Sequence, residues 1–344
     1  MNAVVPNRQQ STRTDISVCK VTMVEAVNMA LSRAMQEDQN VVVMGEDVGV
    51  NGGVFRATVN LREKFGLKRV MDTPLAETLI AGMAVGMSTQ GLRPVAEIQF
   101  MGFIYATMEQ VVSHASRMRN RTRGRLSCPL VIRAPFGGGI HAPEHHSEST
   151  EALFAHIPGL RVLIPSSPKR AYGLLLSAIR NDDPVLFLEP KRIYRAAAQD
   201  VMDDGEGLPL DTCFTLREGS DVTLVSWGAM IQETLQAADK LADQGIQAEV
   251  VDVASISPLD MATISASVAR TGRCCIIHEA ARHVGVGAEI AANLAESSLF
   301  DLKAPVSRVT GYDTVMPYFR NEAHYMPSVE RICSAVSVLM DDEH

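Results

Sequence analysis

Acidic side chains follow short apolar segments of the sequence, at positions where the catalytic groups of α/β enzymes commonly lie. Glu46 and Asp47 come directly after the apolar run Val41–Gly45, and Glu77 follows a predicted strand at residues 69–72. Open α/β sheets bind ligands outside the carboxyl ends of their strands, so Glu77 can transfer a proton or bind a cofactor there. Its position also suits an acid at a helix N-terminus that the helix dipole stabilises. For Glu46 and Asp47, a solvated loop and a metal site both remain open.

A glycine-rich loop at residues 136–139 leads into the string HAPEHHSES, which contains His141, His145 and His146. Imidazole titrates near neutral pH, so a histidine there can transfer protons or donate a hydrogen bond to a developing oxyanion. The spacing of His141 and His145 would suit zinc on a helix, but Pro143 and the preceding glycines predict a loop. Catalysis is the favoured interpretation, with zinc binding and a loop without function as the alternatives.

Other strings with known chemistry are missing from the sequence. His278, Glu279 and His283 form H-E-x-x-x-H rather than the H-E-x-x-H of zinc proteases, and histidines at this spacing point to different faces of a helix. The sequence contains no G-x-G-x-x-G after a predicted strand, no Walker sequence and no G-x-S-x-G. NAD binding, P-loop chemistry and the serine-hydrolase elbow therefore lose their main sequence support.

Length, composition and charge indicate a globular protein of two domains. The 344 residues carry a net charge of -8, with 46% hydrophobic and 21% charged residues. This charge argues against nucleic acid as the main partner, because phosphate binding needs clustered Lys and Arg. No apolar run approaches the roughly 18 residues of a membrane span. The 6 cysteines form no C-x-x-C pair, which predicts reduced thiols and a cytoplasmic protein.

Helical and strand patterns alternate along the chain, and this alternation predicts a doubly wound α/β fold. Thr22 and Glu25 form a capping box at the start of the first helical pattern. Two further helical patterns cover Ala76–Gln90 and Ser167–Arg180. The apolar runs that predict buried strands in the first half are Val41–Gly45, Val95–Ile98, Leu130–Arg133, Val162–Ile164 and Val185–Leu188.

Domain boundaries follow from the places where this alternation stops. Residues 1–18 are polar and aperiodic and are predicted to be a flexible N-terminal tail. Residues 196–214 are predicted to be a connector, because Asp203, Gly205 and Pro209 favour turns. The sequence therefore predicts a first domain at 19–195 and a second at 215–344, with strands near 221–228, 248–253, 273–279 and 306–311.

The helical pattern after Glu77 has one face on which side chains are small or missing. Gly82 and Gly86 lie four residues apart on it. Each glycine in a helix costs up to about 1 kcal/mol relative to alanine, so a packing reason is expected. Another helix approaching this face would supply that reason, either from the same chain or from a second subunit.

Seven strings of the sequence resemble one enzyme family. They are GEDVGVNGGVFRAT, DTPLAE, GLRPVAEIQF, PFGGGIHAPEHHSES, HIPGL, DPVLFLEPKRIYR and VARTGRCCIIHEA. Together they look like the β subunit of a thiamine-diphosphate-dependent 2-oxo acid dehydrogenase, the E1 component, of the pyruvate or branched-chain type. The resemblance runs in unbroken order from about residue 20 to 335, which makes it more specific than any single motif.

The resemblance implies a fold and a set of site residues. The fold is a transketolase-like pyrimidine-binding domain with a doubly wound parallel sheet, followed by a smaller transketolase C-terminal α/β domain. The family's cofactor glutamate falls on Glu77, its active-site histidine on His146, and its aromatic residue against the aminopyrimidine on Phe103. Gln99 and Glu46 match further positions near the cofactor, Glu46 among acids that line a channel between paired sites.

The implied reaction is the oxidative decarboxylation of a 2-oxo acid, followed by acyl transfer to the lipoyl arm of the E2 acyltransferase. Glu77 would stabilise the imino tautomer of the thiamine pyrimidine, provided that it is shielded from water. His146 would donate a proton or a hydrogen bond in the reductive acylation. Many relatives have glutamine where this chain has Glu148, which puts the local hydrogen bonds of the histidine loop in doubt.

The sequence holds only part of such a site. It contains no G-D-G segment, with which thiamine enzymes hold the diphosphate and its magnesium. The resemblance therefore places thiamine diphosphate between this chain and an E1 α subunit in an α2β2 heterotetramer, with magnesium held by α. It also implies a possible potassium site, largely of backbone carbonyls, at Leu130, Val131, Ala178 and Asp183.

Several alternatives stay open for the substrate and the activity. The stretches FRAT, QFMGFIY and FGGGIHAPE resemble pyruvate dehydrogenase, whereas PKRIYRAAA and EGSDVTLVSWG are similar to the branched-chain enzyme that takes 2-oxoisovalerate. Pyruvate is favoured because its stretches lie nearer the cofactor positions. Acetoin dehydrogenase, a self-contained thiamine enzyme and a non-catalytic assembly subunit are the remaining alternatives.

Overall fold

The computed structural model describes residues 17–341, whose strands form three sheets. The strands are β1 (Val18–Val21), β2 (Val41–Gly45), β3 (Val70–Asp72), β4 (Arg93–Glu97), β5 (Val131–Phe136), β6 (Arg161–Leu163), β7 (Val185–Pro190), β8 (Gln199–Met202), β9 (Phe214–Arg217), β10 (Val222–Ser226), β11 (Ala248–Asp252), β12 (Ser255–Ser257), β13 (Cys274–Ala281) and β14 (Ser307–Gly311). The α-helices are α1 (Met23–Glu37), α2 (Leu61–Phe65), α3 (Glu77–Thr89), α4 (Met118–Arg121), α5 (Glu151–Ala155), α6 (Pro168–Arg180), α7 (Ile231–Asp243), α8 (Met261–Thr271), α9 (Val286–Ser297), α10 (Phe319–Tyr325) and α11 (Val329–Asp341).

The first half of the chain builds a seven-stranded sheet in the order β12-β6-β7-β5-β4-β2-β3. The strands from β6 to β3 in this order are all parallel, and β12 from the second half joins β6 antiparallel. Every residue of β2, β5 and β7 is buried, as expected for parallel strands that are covered on both faces. The predicted doubly wound parallel sheet is confirmed.

Two hydrophobic cores cover the two faces of this sheet. Side chains of α1 and α6 pack on one face with Val43 and Phe187. Side chains of α3 and α5 pack on the other face with Met44. Val43 and Met44 belong to different cores because successive residues of a strand point to opposite faces. The second core also contains Trp227 and Val251 of the second half, so the two halves share it.

The second half forms a five-stranded sheet in the order β14-β13-β10-β11-β9, in which β9 is antiparallel and the others are parallel. Apolar side chains of α7 and α11 pack on one face of the sheet, and those of α8 and α9 pack on the other. This arrangement confirms the smaller C-terminal α/β unit that the sequence predicts.

The start of α1 follows the predicted capping box. The Glu25 carboxylate accepts hydrogen bonds from the Thr22 backbone N–H at 2.8 Å and from the Thr22 hydroxyl at 2.6 Å. Helix α6 begins with Pro168, and the Ser167 hydroxyl accepts from the Arg170 N–H at 3.3 Å. Local sequence therefore determines where the two helices that pack together on one face begin.

The predicted connector, residues 196–214, is attached to the first half by a strand. β8 pairs antiparallel with β1, with Val18 opposite Met202. Asp203 then accepts a 2.9 Å hydrogen bond from the buried Arg33 of α1. The tail predicted at residues 1–18 lies outside the described residues, apart from Ser17 and Val18. Within residues 17–341, no helix has the length and apolar character needed to cross a membrane.

Candidate functional site

The predicted catalytic and cofactor-binding residues follow the carboxyl ends of neighbouring strands. β5, β4, β2 and β3 are parallel neighbours in that order. His146 lies in the loop after β5, Gln99 and Phe103 follow β4, Glu46 follows β2, and Glu77 begins α3 after β3. Because parallel strands end at the same edge, the sheet carries all five side chains along one edge, where α/β folds bind their ligands.

Two of these residues, Glu46 and Glu77, interact electrostatically. Glu46 is 7% exposed, and its Oε1 has no hydrogen-bond partner among the described residues. Burial, reinforced by the charges of Glu77 and Asp47, raises the pKa of the Glu46 carboxyl. Glu77 is partly buried at the first position of α3. A buried carboxyl oxygen without a partner is costly, so this pair suits a ligand that brings hydrogen-bond donors.

His146 lies among aromatic rings. Its ring centroid is 4.5 Å from that of Phe100 and 5.3 Å from that of Phe103, both in edge-to-face geometry. The buried Nδ1 of His146 has no hydrogen-bond partner within residues 17–341. Gly102 permits this close packing, because a Cβ there would lie 2.0 Å from the carbonyl oxygen of His145. The structure thus brings Phe103 and His146 together and leaves one buried imidazole nitrogen without a partner among the described residues.

The loop that carries His146 is closed by its own backbone. The Gly137 N–H donates a 2.9 Å hydrogen bond to the carbonyl of Glu148. The Glu148 carboxylate lies near Tyr105. Burial, opposed by a hydrogen bond with Thr150 and reinforced by the Glu148 charge, raises the pKa of Tyr105. The closing bond uses the backbone carbonyl of residue 148 and so does not depend on its side chain.

Sequence reasoning missed the residues of the second half that contact this loop. The Gly138 N–H donates to the Glu279 carboxylate at 3.2 Å, and the His141 N–H donates to the Glu322 carboxylate at 2.9 Å. Both acids are buried. No sequence pattern distinguishes them, because their partners are backbone amides more than a hundred residues away along the chain.

The sequence suggests two metal sites, one for zinc at the histidines and one for potassium near Leu130. Within residues 17–341, no three His, Cys, Asp or Glu side chains lie close enough together to hold a metal ion, so the zinc alternative for His141 and His145 lacks a ligand set. Near the predicted potassium positions, the Leu130 carbonyl accepts from the Val185 N–H at 2.8 Å. The Asp183 carboxylate accepts from Arg119 at 2.6 Å. Potassium binding stays a prediction.

Helix α3 and the segment just before it carry exposed apolar side chains and a glycine with open space beside it. Leu75, just before the helix, is 81% exposed, and Leu79 is 42% exposed. A Cβ at Gly82 would meet the Gln110 side chain at 3.6 Å, whereas a Cβ at Gly86 would meet nothing within 4 Å. Packing within the described chain therefore gives no reason for Gly86, and contact with a second subunit is the remaining interpretation.

The chain matches two families along most of its length. Residues 19–197 match the family described as transketolase, pyrimidine binding domain, and residues 212–332 match transketolase, C-terminal domain. A solved structure described as "Split gene transketolase, inactive beta4 tetramer" is similar with a TM-score of 0.78, covering 95% of this chain and 100% of that chain. At 24% sequence identity, this likeness concerns the fold.

Curated relatives are similar over nearly the whole chain. The chain is 48% identical over 311 residues to the pyruvate dehydrogenase E1 component subunit beta of Bacillus subtilis, which covers 90% of this chain and 96% of the relative. It is 46% identical over 319 residues to the protein of the same name from Acholeplasma laidlawii, covering 93% and 98%. For the Staphylococcus epidermidis protein the identity is 44% over 324 residues, covering 94% and 100%. The chain belongs to the family of β subunits of thiamine-diphosphate-dependent 2-oxo acid dehydrogenase E1 components.

Proposed function

We propose that this chain, together with an E1 α subunit, decarboxylates pyruvate oxidatively and transfers the acyl group to the lipoyl arm of E2. The observation that carries the proposal is the edge formed by β5, β4, β2 and β3, where Glu46 Oε1 and His146 Nδ1 have no partner within the described chain. The names of the relatives described above support pyruvate rather than 2-oxoisovalerate as the substrate.

This edge of the sheet suits the aminopyrimidine part of thiamine diphosphate. Glu77 would hold the pyrimidine ring by a hydrogen bond, and Phe103 would lie against it. Gln99 and Glu46 would line its surroundings, and the partnerless Oε1 of Glu46 supports this fit because a ligand can bring the missing donor. When bound, the cofactor supplies the carbon nucleophile and the electron sink for decarboxylation of a 2-oxo acid.

The roles of the chain's own residues follow from their surroundings. Glu77 would hold a proton towards the pyrimidine ring, and Glu46 keeps its own proton to higher pH than an exposed glutamate because burial raises its pKa. His146 would deliver a proton to the lipoyl sulfur as the thiol forms. Phe100 and Phe103, which pack against the imidazole, would keep water away from it.

The site would be completed by an E1 α subunit. The absence of a G-D-G segment supports an α chain that binds the diphosphate and magnesium. The exposed Leu75 and Leu79 and the open face at Gly86 support an α contact along α3 in an α2β2 assembly. Potassium at the carbonyls near Leu130 is part of the proposal. All six cysteines are free thiols, which supports a cytoplasmic location.

Steady-state kinetics of the assembled αβ complex test the substrate. We expect kcat/KM for pyruvate to exceed that for 2-oxoisovalerate by at least about tenfold, because a pocket shaped for a methyl group excludes a branched chain. Both substrates would be compared with the same lipoylated E2 domain as acceptor. A preference for 2-oxoisovalerate would contradict the assignment of pyruvate, and activity with neither substrate would contradict the proposed reaction.

A further inference from the structure

The loop from Gly137 to Ser149, here named the histidine loop, contains one 3-10 turn, Glu144–His146, and is otherwise irregular. Holding an irregular segment in one conformation costs backbone entropy at every residue. The backbone hydrogen bond from Gly137 to Glu148 closes the loop. It does not determine how the loop sits on the sheet edge, so contacts from elsewhere in the chain must do so.

Glu279 of β13 holds both ends of the histidine loop. It is 3% exposed, and its Oε1 accepts hydrogen bonds from the Gly138 N–H at 3.2 Å and from the Ser149 hydroxyl at 2.5 Å. One carboxylate oxygen of the second half therefore connects the two ends of the loop. The buried ammonium of Lys191 donates to the Gly137 carbonyl beside it.

Glu322 of α10 holds the beginning of the loop with both of its oxygens. Its Oε1 accepts from the Gly139 N–H, and its Oε2 accepts from the His141 N–H at 2.9 Å. The same Oε2 lies 2.6 Å from the His141 Nδ1. Glu322 is 2% exposed, and Lys191 and Arg192 lie near enough for their positive charges to interact with it and with Glu279.

Glycines allow this close approach. Gly137 and Gly139 have positive φ angles of 84° and 82°, in the region that favours glycine. A Cβ at Gly137 would lie 2.1 Å from Oε1 of Glu279, and one at Gly139 would lie 2.2 Å from Cδ of Arg192. The glycine-rich segment before the histidines thus fits the side chains of the second half, which reach the loop backbone.

We propose that Glu279 and Glu322 are positioning residues, which hold the histidine loop so that His146 keeps its place against Phe100 and Phe103. Neither acid belongs to the predicted catalytic set. Together they accept from three backbone N–H groups and one hydroxyl of the loop. Hydrogen bonds to charged groups are stronger than those between neutral groups, so carboxylates suit this task better than amides would. The consequence for catalysis rests on the proposed function, whereas the effect on the loop does not.

Amide hydrogen exchange of the full chain, alone and with its α subunit, tests the positioning role. In Glu322→Gln, one backbone N–H of the loop faces an amide NH2 group instead of an acceptor. We expect the peptide at residues 137–149 to exchange about 10- to 100-fold faster, the equivalent of one lost hydrogen bond to a charged group. Ser149→Ala, which removes a donor to Glu279 without burying a new polar group, should speed exchange in the same peptide.

Glu249→Gln is the matched control. Glu249 is a fully buried carboxylate of the second half that binds Arg270 at 2.6 Å, so its substitution should leave exchange in the histidine loop unchanged. Unchanged loop exchange in Glu322→Gln and Ser149→Ala would overturn the proposal, as would an equal increase in the control. In the assembled enzyme, we expect Glu322→Gln to lower the lipoyl-dependent kcat by up to about 10²-fold with little change in KM for pyruvate.

Different results would contradict the proposed function and the positioning role of Glu279 and Glu322. Amide hydrogen exchange is measured without substrate or cofactor. Faster exchange of the histidine loop in Glu322→Gln therefore supports the positioning role whatever reaction the enzyme catalyses. If the assembled wild-type complex turns over neither pyruvate nor 2-oxoisovalerate, the proposed function fails and the positioning role stands. If the loop does not loosen while His146→Ala abolishes acyl transfer, the proposed function stands and the positioning role is overturned.

Discussion

Glutamates of this chain differ in what surrounds their carboxyl groups. Glu46 is buried beside Glu77, and one of its oxygens has no partner within residues 17–341, whereas Glu279 is buried with two donors on a single oxygen. Burial raises the pKa of both Glu46 and Glu279. Glu46 therefore keeps an oxygen without a partner among the described residues, while Glu279 is occupied by the chain itself.

Glu77→Gln should nearly abolish turnover of the assembled enzyme while folding and assembly persist. An amide cannot share the proton that the proposed role of Glu77 needs, and loss of such a group costs about 10²- to 10⁴-fold. The measurement is pyruvate decarboxylation with an artificial electron acceptor such as ferricyanide. Glu63→Gln on the exposed surface of α2 serves as the control. Decarboxylation at the wild-type rate in Glu77→Gln would remove Glu77 from its role.

His146→Ala should impair acyl transfer to the lipoyl group more than decarboxylation. Reduction of the lipoyl disulfide needs a proton as the thiol forms, and His146 would supply it as a general acid, with an effect of about 10²- to 10⁴-fold. The lipoyl-dependent rate is compared with the ferricyanide-dependent rate of the same preparation. His156→Ala, at an exposed histidine that follows α5 and lies outside the histidine loop, should change neither rate. Equal losses in both assays would mean that His146 acts before acyl transfer.

Strands β4, β5 and β7 are joined beneath the site by a buried ionic network. Arg133 of β5 donates to Glu97 of β4 at 2.6 Å and to both oxygens of Glu189 of β7 at 2.6 and 2.8 Å. The Tyr194 hydroxyl also donates to Glu189. Arg133 is 1% exposed. The network fixes the relative positions of strands whose ends carry Gln99, Phe103 and the histidine loop.

Arg133→Met should destabilise the chain by about 3–5 kcal/mol, because it leaves two buried carboxylates without their cation. The measurement is the free energy of unfolding in denaturant. Arg217→Met is the control, since Arg217 pairs with Asp239, which is 76% exposed, and surface pairs contribute at most about 1 kcal/mol. Similar effects of the two substitutions would contradict the structural importance of the buried network.

At the scale of the whole molecule, the proposed cofactor site would need an E1 α subunit beside this chain. The isolated chain should bind thiamine diphosphate with magnesium weakly or not at all, because it has no G-D-G segment for the diphosphate. Calorimetric titration of the chain alone, compared with the chain plus its α subunit, measures this. Tight binding by the chain alone would contradict the shared site.

The junction of the two halves should make stability depend on pH. Glu151 of α5 is fully buried and accepts from the Trp227 Nε1 of the second half at 3.3 Å. Burial raises its pKa from 4.5 to about 8. The folded chain then binds more protons than the unfolded chain between these pH values, so the stability contributed by protonated Glu151 is complete below pH 4.5 and is lost as pH rises through about 8.

Glu151→Gln keeps an acceptor for Trp227 but has no proton to lose. We expect the free energy of unfolding of the variant to fall less than that of the wild type as pH rises from 4.5 to about 8. Denaturant unfolding across this range measures the difference, and buried acids that do not interact with Glu151, such as Glu46, contribute equally to both proteins. Parallel stability curves would show that Glu151 does not titrate in this range.

Local features were predictable from the sequence because their causes are local. The capping box at Thr22 and Glu25, the apolar run Val41–Gly45 and the turn residues that end each strand all act within a few positions. Once the strands were placed, the parallel order of the sheet brought Glu46, Glu77 and His146 to one edge. The candidate site followed from its place in the chain and from the family resemblance.

Tertiary structure alone decided which distant segments complete the fold and hold the site. β12 crosses from the second half to pair with β6, and β8 returns to pair with β1. Glu279 and Glu322 reach the backbone of the histidine loop from the second half. Every residue type except proline has a backbone N–H, so a hydrogen bond to one requires no particular sequence pattern. The sequence therefore could not identify these two acids as partners of the loop. The same limit explains why Gly137 and Gly139 showed that a loop was present but not which side chains approach it.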